Sequence, residues 1–452
     1  MQGPRPIRTS DVAVQPGYGI RLVAHGLTYP TGIAFDERGG AYVVESGYSY
    51  GEDQGEARLL QLDPTGKHRV IATSRSGPWN GVAYHQGNFF VAEGGAVAND
   101  GKILRISPQG QITVLVQGLP SGGDHHTNGP AIGPDGQIYF GQGTVTNSGF
   151  VGPDSADFGW LKRHPKLHDI PCKDVKLTGQ TIESKNVLAP DQPDVKTSPY
   201  SPFGTTVEQN GIVPGKVPCS GAVMKASPNG GPPELVAWGL RNPFGLAFSP
   251  EGRLFVTENG FDVRGSRPVW GGPDVLWKID PGGWYGWPDY SGGESIVKPR
   301  YKYPGKPQPQ PVLAEFPQKP PKPVTWFGAH SSSNGLDFSR NPAFGFVGHA
   351  FVAQFGDMTP PTGKVLTPVG YRIVRVNPTD GVIEDFATNK GARNGPASLL
   401  KHGGLERPVA VRFDPQGTAL YVVDFGIMAT GDEGPKPQRG TGVVWRITRG
   451  GR

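Results

Sequence analysis

Six times along the chain the same pattern recurs: a small-residue turn, a short apolar strand, a hairpin turn that contains glycine, and a second apolar strand. Each copy is typical of a β-hairpin, because turn residues separate two runs of β-forming residues. A hairpin that repeats along a chain indicates a ring or solenoid of small sheets rather than a layered α/β domain. The six copies begin at Thr31, Asn80, Asn128, Asn242, Asn334 and Arg407.

Two further phrases complete the repeat. An outer strand followed by Gly-Leu precedes several hairpins, as in LVAHGLTYPTGIAF, and a short strand before a polar turn follows them, as in GKILRISPQG. The repeat therefore has four strands, and the sequence predicts an all-β, six-bladed β-propeller of four-stranded blades that forms one domain over residues 1–452. The last strand, GVVWRITRG, lacks a following hairpin, and the first, GIRLVAHGL, lacks a preceding one. We expect both strands in one blade, where they close the ring.

The composition agrees with a turn-rich β protein. Glycine (69 residues) and proline (47 residues) supply about a quarter of the chain, and charged residues only 18%, which is not the composition of a disordered chain. The net charge of +5 comes from scattered Lys and Arg, so we expect no nucleic-acid partner. The chain has no apolar run of 18 residues, so we expect no membrane span.

Three insertions interrupt the repeats at about 144–221, 291–323 and 356–369, and we expect them as loops on one face of the propeller. Long loops within a compact repeat fold typically form lids or binding loops. The only two cysteines, Cys172 and Cys219, bracket most of the first insertion. A disulfide between them would stabilise the fold by about 4 kcal/mol; two unpaired buried thiols are the alternative.

The predicted disulfide indicates the cellular location of the protein. Residues Met1–Ser10 have no hydrophobic core of the kind found in a signal peptide. This N-terminus is compatible with a cytosolic protein, and also with an exported protein whose leader has been removed. Because stable disulfides form in oxidising compartments, we expect a periplasmic or extracellular protein.

Polar residues at the start of the inner strands are the first candidates for a site, because this part of a propeller blade borders the central channel. One interpretation is turn chemistry, since Asn before Gly is a common turn pair. The other is a ring of amide oxygens around a central ligand or cation, because hard cations prefer oxygen donors. The positions concerned are Asn80, Asn128, Asn242 and Asn334, beside Thr31 and Arg407.

The sequence Asp124-His125-His126 lies next to this ring. A histidine with an acidic neighbour at a channel mouth can act as a general base, because its ordinary pKa lies near neutrality. Adjacent residues of a strand point to opposite faces, so His125 and His126 do not both reach one site.

Three longer phrases carry a resemblance: DHHTNGPAIGPDGQIYFGQG, then GLRNPFGLAFSPEGRLFVTENGFD, then GGWYGWPDYSGG. In this order they resemble the soluble quinoprotein sugar dehydrogenases, the glucose/sorbosone dehydrogenase family of six-bladed propellers that use pyrroloquinoline quinone (PQQ) with calcium. AHSSSNGLDFS and ERPVAVRFDPQG resemble the sorbosone branch. The resemblance extends from about Gly118 to the C-terminus, apart from the insertions. It implies oxidation of a sugar or other alcohol or aldehyde by hydride transfer to the quinone, with electrons passed to an external acceptor.

The resemblance also implies roles for individual residues. His125 falls on the catalytic base of the family and Asp124 on a contact to a substrate hydroxyl. Arg241 falls on a catalytic cation that polarises the accepting carbonyl of the quinone. The positions that would bind the cofactor are Arg241, Asn242, Arg407 and His330, and calcium would rest on the backbone carbonyls of Gly260 and Phe261.

The chain departs from the family in several places. Trp79-Asn80 stands where the glucose branch has a sugar-binding glutamine, so the sugar specificity does not transfer. QFGDMTP replaces the HGSWNR phrase of the sorbosone branch, and the family's cofactor-binding lysine has only Lys364 as a counterpart. Arg372 and Arg375 alternate with apolar residues on GYRIVRV and are either exposed strand residues or cofactor contacts.

Two other function classes stay open. Other six-bladed propellers are calcium-dependent lactonases or esterases, in which Asn, Asp and Glu side chains hold an ion that activates water. The asparagine ring with Glu45, Glu93 and Asp424 would suit that chemistry. A non-catalytic propeller that binds a carbohydrate or a protein is the third class, since the fold alone does not determine the function.

Overall fold

Short antiparallel strands make up most of the regular structure in the computed structural model, which describes residues 5–47, 55–363, 365–432 and 434–450. The first half of the chain contains, in its described residues, two short α-helices, both in the first insertion. Its elements, in chain order, are the 3₁₀ helix η1 (Thr9–Asp11), β1 (Val12–Val14), β2 (Tyr18–Leu27), β3 (Pro30–Phe35), β4 (Ala41–Glu45), β5 (Ala57–Leu62), β6 (His68–Ser74), β7 (Trp79–His85), β8 (Asn88–Glu93), β9 (Gly101–Ile106), β10 (Ile112–Leu119), β11 (Thr127–Ile132), β12 (Ile138–Gln142), α1 (Pro153–Asp157), α2 (Trp160–Arg163), β13 (Val175–Lys176), β14 (Ile182–Ser184), β15 (Val195–Thr197), β16 (Ile212–Val213), β17 (Ala222–Ala226) and β18 (Glu234–Trp238).

The second half continues the same pattern, with one short α-helix in the part that the structure describes. Its elements are β19 (Pro243–Phe248), β20 (Leu254–Glu258), β21 (Pro273–Lys278), β22 (Tyr290–Ser291), β23 (Glu294–Ser295), η2 (Pro299–Tyr301), β24 (Thr325–Ala329), β25 (Ser333–Phe338), β26 (Ala350–Gln354), β27 (Arg372–Val376), β28 (Ile383–Asn389), α3 (Ala397–Leu400), β29 (Pro408–Phe413), β30 (Ala419–Asp424), β31 (Met428–Gly431), β32 (Gly434–Pro437) and β33 (Gly442–Arg449).

Six antiparallel sheets form the blades of a β-propeller, which confirms the predicted fold. From the inner to the outer strand the blades are β3-β4-β5-β6, β7-β8-β9-β10, β11-β12-β17-β18, β19-β20-β21-β24, β25-β26-β27-β28 and β29-β30-β33-β2. The inner strands are therefore β3, β7, β11, β19, β25 and β29. We call the face at which these inner strands begin the upper face.

The ring closes in the sixth blade. β2, from the start of the chain, pairs with β33, from its end, over the register Tyr18↔Arg449 to Leu27↔Gly442. The predicted pairing of the first and last strands is thus confirmed. The N-terminal segment also adds β1 to the outer edge of the fifth blade, against β28, which the repeat pattern does not predict.

The six inner strands approach one another closely around the channel axis. The third residue of every inner strand is glycine or alanine: Gly32, Gly81, Gly129, Gly245, Gly335 and Ala410. A Cβ atom on Gly81 would lie 2.2 Å from the carbonyl oxygen of Gly129, and one on Gly245 would lie 2.3 Å from that of Asn334. Larger side chains at this level would therefore push neighbouring blades apart.

The second residue of each inner strand faces the channel just above this ring of small residues. The six residues are Thr31, Asn80, Asn128, Phe244, Asn334 and Val409. Two of the polar residues expected at this level, Asn242 and Arg407, directly precede their strands instead of standing second in them. Asn242 nevertheless joins the polar level, because it accepts a hydrogen bond from Asn128 (2.9 Å). The phrase NPFG places two residues between Asn242 and Gly245, whereas Asn80 is followed directly by glycine.

Three polar members of this level join neighbouring blades. Thr31 donates a hydrogen bond to the Trp79 carbonyl (2.5 Å), and Asn80 to the Thr127 carbonyl (3.1 Å). Asn128 reaches the Pro243 carbonyl in the same way (3.3 Å). These side chains thus link the inner strands. The sequence analysis considered turn formation and ligand binding for these residues, but not this structural role.

Apolar packing between neighbouring blades supplies the core. In the described residues, six of the seven clusters of buried apolar side chains each lie between two adjacent blades. The largest, between the second and third blades, extends into the first insertion and includes Cys172 and Cys219. The seventh lies within the insertion, where Trp160 and Leu167 pack on Val145.

The first insertion joins β12 to β17 and carries α1, α2 and two small hairpins, β13-β16 and β14-β15. A disulfide links Cys172 and Cys219, whose Cα atoms are 5.0 Å apart, which confirms that prediction. The connection between β21 and β24 runs beside β18, where the Gly282 amide donates to the Val236 carbonyl (2.7 Å). It then joins the first insertion, since the Thr178 amide donates to the Val312 carbonyl (2.9 Å).

Replacing Gly81 by alanine tests the ring of small residues. Gly81 has a φ of +129° and a neighbouring carbonyl at the place of a Cβ, so we expect the free energy of unfolding to fall by about 2 to 4 kcal/mol from strain and overpacking. Denaturant unfolding measures the effect. The control is Gly431→Ala, which has open space around its Cβ position and should cost less than about 0.5 kcal/mol. Equal effects of both substitutions would contradict this account of the inner ring.

Candidate functional site

A cavity of about 1210 Å³, measured with its open mouth, lies at the upper end of the channel. Part of its lining is apolar and carries several flat aromatic rings, and another part is polar and charged. The apolar side consists of Phe244, Phe355, Met358, Val409, Phe425 and Met428; the charged and imidazole groups are Asp124, His125, Arg241, Asp262, Arg264, Asp274 and His330.

His125 lies in the polar wall with a fixed ring orientation. Its Nδ1 donates to the backbone carbonyl of Thr144 (2.9 Å), so in the neutral ring Nε2 carries the lone pair. Burial lowers the pKa of His125 to about 4, although the nearby Asp124 carboxylate opposes that effect. His125 is therefore neutral at physiological pH, and its Nε2 lies 3.7 Å from Oδ2 of Asp124.

His126 is oriented differently, although both histidines precede β11 instead of lying within a strand as the sequence argument assumed. Its Nδ1 donates to the Ser121 carbonyl (2.7 Å), and among the described residues it does not line the cavity. Burial lowers its pKa to about 4 as well. Of the two adjacent histidines, only His125 is available to a molecule in the cavity.

Two arginines and three aspartates form a buried ion-pair cluster beside His125. Arg241 contacts Asp262 (3.0 Å) and Asp124 (3.4 Å). Arg264 contacts Asp124, Asp154 (2.8 Å) and Asp262 (3.1 Å). Burial alone would raise the pKa of Asp124, but the positive charges of Arg264 and Arg241 and the adjacent His125 outweigh burial and lower it to about 2. Asp124 is thus a carboxylate at physiological pH.

The sequence places Asp124, His125 and Arg241 in this wall but misses Arg264, Asp262 and Asn259. All three follow β20 in the loop that starts with ENGFD. The one available signal was that this phrase directly follows the second strand of a repeat, at the upper face. Asn259 extends a row of amides, because it accepts from Asn242 (2.8 Å) and donates to the Ser333 carbonyl (3.1 Å).

Arg407 does not take the place expected from the resemblance. Its guanidinium donates to the backbone carbonyls of Asp357 (3.0 Å) and Met428 (3.3 Å), and it lies over the rings of Phe355 and Tyr371. Among the described residues it is a support behind the apolar side of the cavity and not part of its lining. The backbone carbonyls and the two aromatic rings hold the guanidinium there.

The other basic residues considered from the sequence also lie elsewhere. Arg372 pairs with Asp385 (2.9 Å), and Arg375 pairs with Glu384 and His349. Within the part of the chain that the structure describes, neither lines the cavity. Lys364 lies outside the described residues.

The loop after β20 also contains the carbonyls expected to hold calcium. Gly260 lines the cavity, whereas the side chain of Phe261 is buried in the core. In the described part of the chain, no hydrogen bond ends on either carbonyl oxygen. The Gly260 amide donates to buried Asp274 (2.9 Å), which also accepts from the Ser333 amide (2.8 Å). Asp274 thereby fixes the loop next to His330, which lines the cavity too.

The acidic residues of the lactonase alternative have other partners. Glu45 accepts from the Thr28 amide (2.6 Å), Glu93 from the Trp79 indole (2.9 Å), and Asp424 from the Arg407 amide (2.9 Å). Each ends the second strand of its blade and pairs with the first residue of the inner strand. Among the described residues, none of the three lines the cavity, and no group of three or more His, Cys, Asp or Glu residues could hold a metal ion.

Comparisons with known proteins agree with the resemblance seen in the sequence. The model of the family described as glucose/sorbosone dehydrogenase matches residues 198–356. The predicted resemblance is confirmed. Quinoprotein glucose dehydrogenase B from Acinetobacter calcoaceticus is 27% identical over 181 residues, which are 39% of this chain and 29% of that protein. The matched part thus spans less than a third of that relative's length.

Solved structures share the fold over nearly the whole chain. The PQQ-bound aldose sugar dehydrogenase from Streptomyces coelicolor has a TM-score of 0.54 at 17% identity and covers 96% of this chain and 99% of its own. The PQQ domain of pyranose dehydrogenase from Coprinopsis cinerea has a TM-score of 0.56 at 17% identity, covering 98% of each chain. An enzyme of carbohydrate-active family AA12 from Trichoderma reesei reaches 0.58 at 17% identity, covering 99% of this chain and 100% of its own.

The helices bear on the expectation that no segment of the chain spans a membrane. No helix among the described residues combines the length and the apolar character that crossing a membrane requires.

The buried histidines predict a specific dependence of stability on pH. Unfolded His126 takes up a proton near pH 6.5, whereas folded His126 does so only near pH 4. Between these values the unfolded state holds more protons, so stability falls as the pH falls. Relative to a His126→Gln variant, we expect the wild type to lose about 3 kcal/mol between pH 6.5 and 4, measured by denaturant unfolding.

Glu258 provides a control of opposite sign. Burial raises its pKa to about 7, so the folded state holds the extra proton, and stability falls as the pH rises from 4.5 to 7. The stability of the wild type relative to a Glu258→Gln variant should therefore fall as the pH rises from 4.5 to 7. If the wild type and the His126→Gln variant instead change in parallel with pH, the burial of a neutral His126 is refuted.

Proposed function

We propose that the protein is a PQQ- and calcium-dependent dehydrogenase that oxidises a sugar or another alcohol. The observation that carries the proposal is the state of His125. This residue is neutral, its Nδ1 is held by the Thr144 carbonyl, and it lines the cavity beside the Asp124 carboxylate. A fixed lone pair next to a carboxylate is what removal of a hydroxyl proton requires.

The residues of the cavity fit the proposed cofactor. The aromatic side offers flat apolar surface to a planar ring system. The carbonyls of Gly260 and Phe261 are oxygen donors of the kind that calcium prefers. Three aspartates and two arginines line the polar wall, so the acidic groups exceed the guanidinium groups by one. A divalent cation would offset this negative charge and the carboxylates of PQQ.

Four residues of the chain have defined parts in the proposed reaction. When bound, the quinone supplies the acceptor for a hydride from the substrate carbon. His125 takes the hydroxyl proton at Nε2, and the resulting imidazolium is stabilised by Asp124 at 3.7 Å. Asp124 in addition accepts a hydrogen bond from a substrate hydroxyl, as its ionised state allows. Arg241 and Asn242, which line the cavity, would hold the cofactor, and Arg241 also holds Asp124 in place.

The disulfide supports an oxidising location, so we propose a periplasmic or extracellular enzyme. We further propose that an external acceptor reoxidises the cofactor. The lactonase alternative has lost its support, since Glu45, Glu93 and Asp424 are used within the blades.

Reduction of the cofactor tests the proposal. Protein loaded with PQQ and calcium should show quinone absorbance that bleaches when an aldose sugar is added. In a His125→Ala variant we expect the rate of bleaching to fall by about a hundredfold or more, because loss of a general base typically costs 10²–10⁴.

The matched control is His126→Ala. Both histidines are buried, but His126 faces away from the cavity, so its variant should lose less than about tenfold. Equal losses in the two variants would assign the effect to folding and reject His125 as the base. Loaded wild-type protein that no sugar or alcohol reduces would reject the proposed function.

A further inference from the structure

The first insertion contributes a piece of the cavity wall. Phe158, which directly follows α1, lines the cavity together with Asp124 and His125. Its ring stacks on Trp160 with centroids 4.7 Å apart and an interplanar angle of 15°. Trp160 is itself buried against Val145 and Leu167, so the segment 153–163 holds Phe158 in a fixed orientation.

One guanidinium connects this segment to the polar wall. Arg264 pairs with Asp154 of α1 (2.8 Å) and also with Asp124. Its guanidinium lies 5.4 Å from the ring centre of Phe158 and 6.0 Å from that of Trp160. Arg264 therefore contacts a carboxylate and two aromatic rings of the insertion. It also contacts the carboxylate of Asp124, the residue next to His125.

The burial of this cluster makes the connection strong. Arg264 has 11% of its side chain exposed, Asp124 5% and Asp154 15%. Removing one member of a buried ion pair leaves a charge without a partner in a poorly solvated place. Among the described ion pairs, Arg264 is the partner of Asp154, so the docking of α1 depends on it.

We propose that Arg264 is a positioning residue that couples the first insertion to the pair Asp124 and His125. Its contact with Asp154 keeps Phe158 against the cavity, and its contact with Asp124 holds that carboxylate beside His125. The inference rests on the proposed function for the roles of Asp124 and His125. The coupling itself is a property of the protein without cofactor.

Substitutions can separate the two arms of Arg264. Arg264→Gln removes the charge and with it the ion pairs to Asp124, Asp154 and Asp262. Arg264→Lys keeps the charge but not the planar fork, so it cannot bind three carboxylates together. Asp154→Asn cuts the insertion arm and leaves the contact with Asp124. The control is Arg163→Gln, the same change at an exposed position of α2.

Two measurements on the cofactor-free protein read the arms independently. Hydrogen exchange of residues 153–163 reports the docking of α1, and NMR titration of the His125 ring reports the charges that face it. These charges are Asp124, Asp262, Arg241 and Arg264. Loss of the positive charge of Arg264 raises the pKa of His125, because a like charge disfavours the imidazolium.

The four variants should give different patterns. Arg264→Gln should raise exchange of 153–163 at least tenfold and shift the His125 titration midpoint upward by about one pH unit. Arg264→Lys and Asp154→Asn should raise the exchange while moving the His125 midpoint much less. Arg163→Gln should change neither. With loaded enzyme, Asp154→Asn should raise KM for the sugar about tenfold with kcat nearly unchanged, since it alters the wall and not the base.

The proposal is overturned if exchange of 153–163 in Arg264→Gln matches that in Arg163→Gln, or if the His125 midpoint does not move. Should Arg264→Gln fail to fold, Arg264→Lys and Asp154→Asn still decide the insertion arm, and unchanged exchange in both rejects the coupling. A protein that gives the expected exchange and titration but no PQQ-dependent oxidation would keep the coupling and lose the proposed function.

Discussion

The close approach of the six inner strands is the constraint on which the rest of the structure depends. Residues without a side chain, or with only a methyl group, stand third in each inner strand, because a Cβ on Gly81 would collide with the neighbouring backbone. Directly above them, Thr31, Asn80 and Asn128 bind the carbonyls of the next blade. The channel is therefore narrow at this level and widens toward the upper face. The cavity is the space left above the ring.

Charge balance then determines the character of the polar wall. Buried carboxylates are stable only with partners, and here two arginines serve Asp124, Asp154 and Asp262. The same pairing keeps Asp124 ionised next to a neutral His125, which is the arrangement that the proposed proton transfer needs. Because Asp154 belongs to the insertion, the charge cluster also fixes the insertion on the propeller. The disulfide and the large apolar cluster hold the far end of the insertion.

The sequence was sufficient for the fold and for part of the site. Hairpins repeated with glycine turns predict the blades, and the unpaired first and last strands predict the closure through β2 and β33. Asp124, His125 and Arg241 were found because they stand in phrases next to a strand start. Arg407 was misplaced, since a repeat pattern does not reveal that its guanidinium is bound by the backbone carbonyls of Asp357 and Met428. Arg264 and Asp154 belong to loops without periodicity, and only the folded chain brings them together. Glu45, Glu93 and Asp424 resemble metal ligands in sequence, but their position at the end of a blade strand gives them structural partners.

The central claim is that the cavity above the ring binds a planar, carboxylated quinone together with calcium. Calorimetric titration of the cofactor-free protein with PQQ, in the presence and absence of calcium, tests it most directly. The account predicts saturable binding of one PQQ per chain when calcium is present, and much weaker binding when calcium is removed with a chelator, because the wall alone carries more aspartates than arginines. Absence of measurable PQQ binding in the presence of calcium would contradict the account.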